Sequence, residues 1–370
     1  MNIALCTPFK PLDNPKVSGD VTIARDLAAG FEAMGHTVTV LPHFPARLIW
    51  RRPKLWPGAL LALDRMVRAA KEADCWLTYG SYYKVPDVFG PTGARRLGIP
   101  YFIFQASYAT KRAKRLATWP GYRINRRAML RADHIFLNRA ADEEGCAKLL
   151  PPQRFSMVRP GLPADSFSRE PTARKRLRKE WKAGQSVVVA TAAMMRPGVK
   201  EEGLRWVIES CAELAGRGQD LQLVIAGDGP CRTDIEALAE ERLGKRVRFL
   251  GLVERNGLAE IFSASDIFAF PGLRESVGMV YLEAQACGLP VVATDDEGAP
   301  QVVAHGESGL ICKANRAAFT NALQRLTADA DLRAKLSRQA PDYIKRQHDL
   351  TANYRAMAET MQSITAGDSL

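Results

Sequence analysis

The chain has 370 residues, enough for about two domains with a hydrophobic core each, and no apolar run approaches the roughly 20 residues of a membrane-spanning helix. Hydrophobic residues make up 46% and charged residues 25%, which is ordinary for a soluble globular protein. The seven cysteines lie singly, without a CxxC pair or a histidine at ligand spacing, which argues against a disulfide framework or a zinc site.

The net charge of +12 is concentrated in the first half of the chain. Residues 1–165 carry 25 Lys and Arg against 13 Asp and Glu, whereas residues 166–370 carry 27 of each sign. Such an excess on one domain favours an anionic surface or polymer as its partner, and a merely solvated basic face is the equally weighted alternative.

Short apolar strands alternate with helical segments along the whole chain. The first six residues lack the basic stretch and apolar core of a signal peptide and are predicted to form a strand. The alternation predicts an α/β protein with two parallel sheets and right-handed crossovers. The predicted strands cover residues 1–6, 35–41, 76–79, 101–105, 134–138, 186–191, 221–226, 247–249, 267–270 and 291–294, and the clearest helices cover residues 21–34 and 203–216.

A Pro-Gly-Leu-Pro turn at residues 160–163 predicts the boundary between two domains. The first spans residues 1–163 and is completed by a helix at roughly 348–365, and the second spans residues 164–347. The tail at 331–362 has a helical pattern that we expect to break near Pro341 and to cross back onto the first domain.

Two carboxylates, Glu275 and Glu283, stand eight positions apart on a loop that leads into a helix. At about 1.5 Å per residue they lie roughly 12 Å apart along the helix axis. That separation suits the two ends of one extended polar ligand better than a single reacting centre. The spacing alone is common by chance, so its context decides the interpretation.

That context is an ordered series of motifs in the second half. The series resembles the retaining, metal-independent glycosyltransferases with two facing Rossmann-like domains (the GT-B fold, family GT4, glycosyl transferases group 1), among them bacterial lipopolysaccharide and glycolipid enzymes. The first half matches more weakly, through its opening strand, Gly19, Gly35 and the turn at 160–161. The motifs are residues 195–200 (MRPGVK), 225–230 (IAGDGP), 247–251 (VRFLG), 275–283 (ESVGMVYLE), 284–290 (AQACGLP) and 309–311 (GLI).

The resemblance implies a site for a nucleoside diphosphate sugar, UDP- or GDP-linked, with no cofactor and no metal. Glu275 would hold hydroxyls of the donor sugar and Glu283 those of the ribose, since one carboxylate can accept two hydroxyl hydrogen bonds. Arg196 and Lys200 would neutralise the phosphates and stabilise the leaving diphosphate. The resemblance thus assigns catalysis to Glu275, Arg196 and Lys200, and donor binding to Glu283, Ser276, Val277, Gly278, Met279, Gly19, Gly227, Phe249 and Leu250.

Some of these roles have a physical basis of their own. A helix that opens near Ser276 offers unpaired N–H groups and the positive end of its dipole to a diphosphate. Gly278 lacks a side chain where ligand and backbone approach each other. Gly227 and its neighbours fit a turn at a strand end better than a direct ligand contact. Phe249 and Leu250 would line the base pocket mainly through their backbone.

One family feature is absent from this sequence. Many members have a histidine at the end of the first-domain strand that precedes the hinge, near the anomeric carbon of the donor. The corresponding residues 101–108 contain none, so Gln105 or Ser107 would supply a neutral hydrogen-bonding group there. Front-face retaining transfer uses the leaving phosphate as base, so activity is still expected. A catalytically silent homologue that binds only the nucleotide is the alternative.

The acceptor side is suggested by residues 44–131, which hold 18 Lys and Arg against 4 Asp and Glu, interleaved with Trp50, Trp56 and Trp119. This composition predicts a peripheral enzyme at the cytoplasmic face of the membrane with a lipid-linked or lipopolysaccharide-type acceptor, each basic residue contributing ~1 kcal/mol near anionic lipid. We also expect a monomer. Alternatively, the tryptophans pack in the core and the basic residues hold a soluble phosphorylated acceptor. A sugar-nucleotide epimerase or hydrolase of the same fold and, more distantly, a nucleic-acid-binding protein are further alternatives.

Overall fold

The computed structural model describes residues 1–13, 19–164, 166–275 and 277–367, without the side chains of Asp20 and Asn256. The chain divides into two compact units. Unit 1 comprises Met1–Arg159 with Thr351–Leu370, and unit 2 comprises Pro160–Leu350. The chain therefore passes between the units at 159/160 and 350/351, where the sequence predicts 163/164 and 347/348.

Unit 1 contains a parallel sheet flanked by helices. Its central strands are almost entirely apolar and buried, as expected for strands covered on both faces. The strands are β1 (Asn2–Cys6), β2 (Thr37–Val40), β3 (Cys75–Ser81), β4 (Tyr101–Ala106), β5 (His134–Leu137) and β6 (Phe155–Met157), in the spatial order β2-β1-β3-β4-β5-β6. The helices are α1 (Gly19–Ala33), α2 (Trp56–Ala69), α3 (Gly90–Leu97), α4 (Trp119–Arg131), α5 (Ala140–Ala147) and α14 (Leu350–Ala366).

Unit 2 repeats this architecture around its own hydrophobic core. All its neighbouring strands are again parallel. The strands are β7 (Val187–Ala192), β8 (Leu221–Ala226), β9 (Val247–Gly251), β10 (Ile267–Ala269), β11 (Val291–Thr294) and β12 (Gly309–Cys312), in the order β12-β11-β10-β7-β8-β9. The helices are α6 (Pro171–Glu180), α7 (Val199–Gly216), α8 (Arg232–Leu243), α9 (Arg255–Ala264), α10 (Met279–Ala286), α11 (Ala299–Val302), α12 (Arg316–Ala328) and α13 (Ala330–Gln347).

The predicted α/β class with two parallel sheets is confirmed, and so is the return of the last helix to the first unit. The Tyr354 ring of α14 stacks on Phe31 of α1 with 6.4 Å between ring centroids. A Cβ on Gly30 would stand 2.7 Å from the Tyr354 ring, so a side chain at residue 30 would interfere with this packing.

The expected helix break at Pro341 is wrong. Helix α13 continues through Pro341 and ends at Gln347, and the turn into α14 occurs at His348 and Asp349. Backbone hydrogen bonds hold this turn, from Leu162 N to His348 O (2.9 Å) and from Leu350 N to Leu162 O (3.0 Å). A proline costs a helix one hydrogen bond, and here the packing of α13 against unit 2 outweighs that cost.

Within residues 1–13, 19–164, 166–275 and 277–367, none of the helices is long and apolar enough to cross a membrane.

Candidate active site

The candidate donor site lies where the strand order of unit 2 reverses. The chain runs outward from β7 to β8 and β9, and then returns to place β10 on the other side of β7. Open α/β sheets bind ligands at the carboxyl ends of the strands that flank such a switch point. The loops that follow β7 and β10 carry the motifs at 195–200 and 275–283.

Lys200 and Glu275 meet at this point. The Lys200 ammonium, in the first turn of α7, donates to Oε2 of Glu275 in the loop after β10. Both side chains are half-buried, and the ammonium nitrogen lies 5.2 Å from the centroid of the Phe270 ring. The structure thus brings together two of the three residues assigned to catalysis. Both remain accessible to a ligand.

Arg196, the third of these residues, has an exposed side chain with no ion pair to any described residue. Its backbone is held in the loop, because Arg196 N donates to Met194 O (2.8 Å) and Glu201 N donates to Arg196 O (3.2 Å). The guanidinium is therefore free to reach an anionic ligand on the β7 loop. The structure does not bring it to Glu275.

Helix α10 begins at Met279, so the expectation of a helix start near Ser276 is wrong as to position. Gly278 precedes the helix in the left-handed conformation, with φ 73° and ψ 61°, which only glycine adopts at little cost. Val277 is buried in the core of unit 2 and Met279 is half-buried against it, so their side chains serve packing. Ser276 itself lies outside the described residues.

Tyr281 holds the loop before α10 in place. Its buried hydroxyl donates to Phe270 O at 3.1 Å, and its ring lies 2.5 Å from where a Cβ on Gly278 would stand. A Cβ on Gly272 would also collide with the Tyr281 hydroxyl. Burial, together with the negative charge of Glu275, raises the pKa of Tyr281 well above its usual value, so the phenol stays neutral. Sequence reasoning missed this role, because a tyrosine inside a motif has no pattern of its own.

Glu283 lies two residues after Tyr281 on α10 and is only 7% exposed. Its Oε1 accepts a hydrogen bond from Nε of Arg255, the first residue of α9, at 2.9 Å. Burial raises the pKa of Glu283, while the Arg255 charge and hydrogen bond act in the opposite direction. The Arg255 guanidinium also lies 5.5 Å from the centroid of the Phe167 ring. Arg255 is the second residue that the sequence analysis missed, since 28 positions separate it from its partner.

The glycine loop after β8 packs tightly against the loop after β7. Gly227 has φ 135°, its N–H donates to Gly251 O at 2.8 Å, and a Cβ there would collide with Ala193 O. Gly227 therefore serves a close backbone approach, as its turn-like sequence indicates. Phe249 and Leu250 of β9 are half-buried beside the core.

Unit 1 has a cavity of about 220 Å³ that includes both residues proposed for the anomeric centre, at the carboxyl end of its sheet. Gln105, near the end of β4, has φ 64°, an uncommon conformation for a residue other than glycine. Ser107 N donates to Ser81 O at 3.0 Å, which extends the pairing of β4 with β3. Gly19, the other predicted site residue of this unit, begins α1. The cavity is lined by Phe9, Tyr79, Gly80, Tyr82, Gln105, Ser107, Arg139 and Asp142.

The segment that carries this geometry is similar to known proteins. Residues 180–343, which contain the switch point and both glutamates, match the family model of glycosyl transferases group 1. This segment, which is less than half of the chain, is similar to that family. The resemblance stated from the motifs is therefore confirmed.

Two curated proteins illustrate what this chain is similar to. An alpha-D-kanosaminyltransferase of Streptomyces kanamyceticus is 28% identical over 271 residues, which cover 70% of this chain and 69% of the relative. A GDP-mannose-dependent alpha-(1-6)-phosphatidylinositol monomannoside mannosyltransferase of Mycolicibacterium smegmatis is 31% identical over 203 residues. That match covers 52% of each chain, so this protein spans about half the length of that relative.

A solved structure shows the same fold. Anabaena Alr3699/HepE in complex with UDP aligns over 98% of this chain and 100% of its own, with a TM-score of 0.76 and 19% identity. The predicted GT-B architecture is thereby confirmed.

Proposed function

We propose that the protein is a retaining, metal-independent glycosyltransferase. It moves a hexosyl unit from a UDP- or GDP-linked sugar to a lipid-linked or lipopolysaccharide-type acceptor at the cytoplasmic face of the membrane. The observation that carries this proposal is the Lys200–Glu275 ion pair at the switch point between β7 and β10. The UDP complex of HepE and the GDP-mannose dependence in the name of the mannosyltransferase support the donor class.

The charges at the switch point suit the departure of a diphosphate. Lys200, with Arg196 on the loop before α7, supplies positive charge where the leaving phosphate becomes more negative, which stabilises the transition state without a metal ion. Glu275, ion-paired with Lys200, can accept hydrogen bonds from sugar hydroxyls. Glu283 accepts the ribose hydroxyls. These carboxylates hold the donor and do not move its protons.

The transfer itself follows from that arrangement. The bond between the anomeric carbon and the diphosphate oxygen breaks, and the electron pair leaves with the diphosphate. The acceptor hydroxyl attacks the anomeric carbon from the same face, and its proton passes to the departing phosphate oxygen. Configuration at the anomeric carbon is retained.

The lipid acceptor is supported by the surface of unit 1. Trp56 is 53% exposed and Trp119 is 47% exposed, whereas Trp50 is half-buried against Gly121. Two of the three tryptophans therefore do not pack in the core, contrary to the alternative of a buried set. Six large hydrophobic residues are exposed within the basic region: Trp56, Leu60, Leu61, Leu116, Trp119 and Leu130.

This basic apolar face is formed by two segments, residues 47–68 and 110–131, that meet at one described hydrogen bond. Arg51 Nη2 donates to Ala117 O at 2.6 Å and joins the two segments. Residues 110–131 contain eight Lys and Arg and no acidic residue. Tryptophan and leucine among basic side chains suit the interface of an anionic bilayer. The name of the mycobacterial relative, whose acceptor is a phosphatidylinositol mannoside, supports the same class of acceptor.

A thermal-shift panel of UDP-, GDP-, ADP- and CMP-sugars tests the donor assignment. A ligand at 100 times its dissociation constant stabilises the folded state by about 2.7 kcal/mol, which gives a measurable rise in Tm. We expect a rise with one nucleotide class, and incubation without acceptor should leave that donor largely intact. If no nucleotide raises the Tm, the proposal fails. Rapid hydrolysis or epimerisation without acceptor would point instead to a hydrolase or epimerase of the same fold.

A further inference from the structure

Arg255 makes a single contact that bears on nucleotide binding. Its Nε is bonded to Oε1 of the buried Glu283, and among the described side chains it is the only one that hydrogen-bonds to that carboxylate. The Arg255 side chain is 42% exposed, whereas that of Glu283 is 9% exposed. The carboxylate thus has one oxygen held by a cation and one oxygen without a described partner.

We propose that Arg255 is a positioning residue for the nucleotide: it holds Oε1 of Glu283 and keeps the carboxylate charged, so that Oε2 accepts the ribose hydroxyls. This inference rests on the proposed function, because it acts through the role given to Glu283. It adds a residue outside every motif of the second half, on α9, to the donor site.

The geometry gives Arg255 a fixed orientation. Its guanidinium lies over Phe167, whose buried ring attracts the cation through its π-electrons. A guanidinium held between a ring and a carboxylate has less freedom to lose when ligand binds, so it can orient Glu283 in advance. A lysine could supply the charge but not the planar contact through Nε.

The positive charge of Arg255 is the second part of its proposed role toward Glu283. A buried carboxylate without a cation takes up a proton more readily, and a protonated acid accepts hydroxyl hydrogen bonds poorly. Two other ionisable groups lie nearby, the Cys287 thiol and the Glu170 carboxylate. Burial, with the charges of Glu170 and Glu283, raises the pKa of Cys287 to about 12, so this thiol stays neutral near pH 7. Arg255 is therefore the compensating cation for Glu283 among the described residues.

The direction of the pH effect follows from these contacts. Nucleotide binding requires the ionised carboxylate, so affinity is present above the pKa of Glu283 and is lost as the pH falls through it. Removal of the Arg255 charge raises that pKa further. The acid limit of binding must then move to higher pH, by about one unit or more for a charge at this distance.

The experiment measures the Kd of the nucleoside diphosphate selected by the thermal-shift panel, from pH 4.5 to 8.5 (roughly the range that spans a raised carboxyl pKa). The variants are Arg255→Met, Arg255→Lys and the control Arg176→Met, which removes an ion pair with Glu260 of the same helix α9. We expect the acid limit to rise by about one pH unit in Arg255→Met and to stay near the wild-type value in Arg255→Lys and Arg176→Met.

The outcomes distinguish failure of the proposed function from failure of the role given to Arg255. If the wild-type protein binds no nucleotide at any pH, the proposed function and this inference fall together. If the wild-type protein binds and Arg255→Met keeps the wild-type acid limit, only the role of Arg255 is overturned. A uniform loss of affinity in both Arg255 variants, with no change in pH profile, would also overturn the charge role. A merely structural contribution does not move the acid limit.

Discussion

Lys200 and Glu275 form an ion pair although 75 positions of sequence separate them. The pair joins the loop after β7 to the loop after β10, and the Lys200 ammonium also faces the buried Phe270 ring. Two motifs that are far apart in the chain thus become one charged site at the point where ligands bind in α/β sheets.

Lys200→Met should lower kcat for sugar transfer by about 10²-fold or more, because the variant lacks the cation proposed to stabilise the leaving diphosphate. Donor affinity should change much less, since the charge on the phosphates grows in the transition state. Steady-state kinetics with the preferred donor would measure both effects. Lys313→Met is the matched control, because Lys313 pairs with Asp295 at 2.8 Å on the surface. A wild-type kcat in Lys200→Met would contradict the assignment.

Glu283→Ala should abolish the thermal shift produced by the preferred nucleotide. The variant loses the carboxylate proposed to accept the ribose hydroxyls, while the Tm of the ligand-free protein should change less because Arg255 is partly exposed. Glu213→Ala, which removes a surface partner of Arg217, serves as the control and should keep the full shift. An undiminished shift in Glu283→Ala would refute the role of this glutamate.

Gly278→Ala should destabilise the protein more than Gly306→Ala. Both glycines have positive φ, 73° and 80°, so an alanine at either costs about 1–2 kcal/mol of unfolding free energy. Nothing lies within 4 Å of a Cβ at Gly306, whereas a Cβ at Gly278 would stand 2.5 Å from the Tyr281 ring. Urea unfolding of the two variants measures the difference. Equal losses of unfolding free energy in the two variants would mean that the contact with Tyr281 adds no cost at Gly278.

Gln105→Gly should be more stable than Gln105→Ala by about 1 kcal/mol, since glycine relieves the positive φ at this position. At an ordinary strand position the alanine variant is the more stable of the two, because glycine weakens a strand. Gln222→Gly and Gln222→Ala in β8 therefore supply the control pair. Both Gln105 variants should lose transfer activity if the side chain contacts the anomeric centre. Wild-type activity in both would remove Gln105 from the site.

Leu60→Gln combined with Leu61→Gln should lower binding to anionic vesicles by roughly tenfold or more, because two exposed leucines can no longer insert into lipid. Flotation with phosphatidylglycerol and with phosphatidylcholine vesicles, at low and high salt, measures the vesicle binding of the wild-type protein and the variant. Leu252→Gln, at a leucine of unit 2 that is 81% exposed, is the control. Failure of the wild-type protein to float with either lipid would contradict the membrane assignment and favour a soluble acceptor. A salt-sensitive oligonucleotide complex without donor binding would favour the nucleic-acid alternative.

Much of the fold follows from local patterns in the chain. Continuous apolar runs such as those of β3 and β4 are typical of strands covered on both faces, and their alternation with helices requires parallel pairing. The element limits were less predictable. Helix α10 starts at Met279 because Gly278 takes a left-handed conformation against Tyr281, and neither fact is visible in the spacing of Glu275 and Glu283.

The helices of the carboxyl-terminal tail also end at positions that local sequence patterns do not predict. A proline disfavours a helix locally, so the sequence predicts an end near Pro341. Helix α13 nevertheless continues, since packing decides: Ser337 Oγ donates to Gly288 O at 2.6 Å and the helix is held against α10. The turn occurs at His348 instead, where strand-like hydrogen bonds to Leu162 are available.

By itself, the sequence determined the two α/β halves and the resemblance of the second half to a glycosyltransferase family, because these depend on local periodicity and on the order of motifs. Only the tertiary structure decided which charges meet. It joined Lys200 to Glu275 and Arg255 to Glu283, left Arg196 without an ion pair among the described residues, and exposed Trp56 and Trp119. Such pairings depend on burial and on distances between elements far apart in the chain, which a linear pattern does not contain.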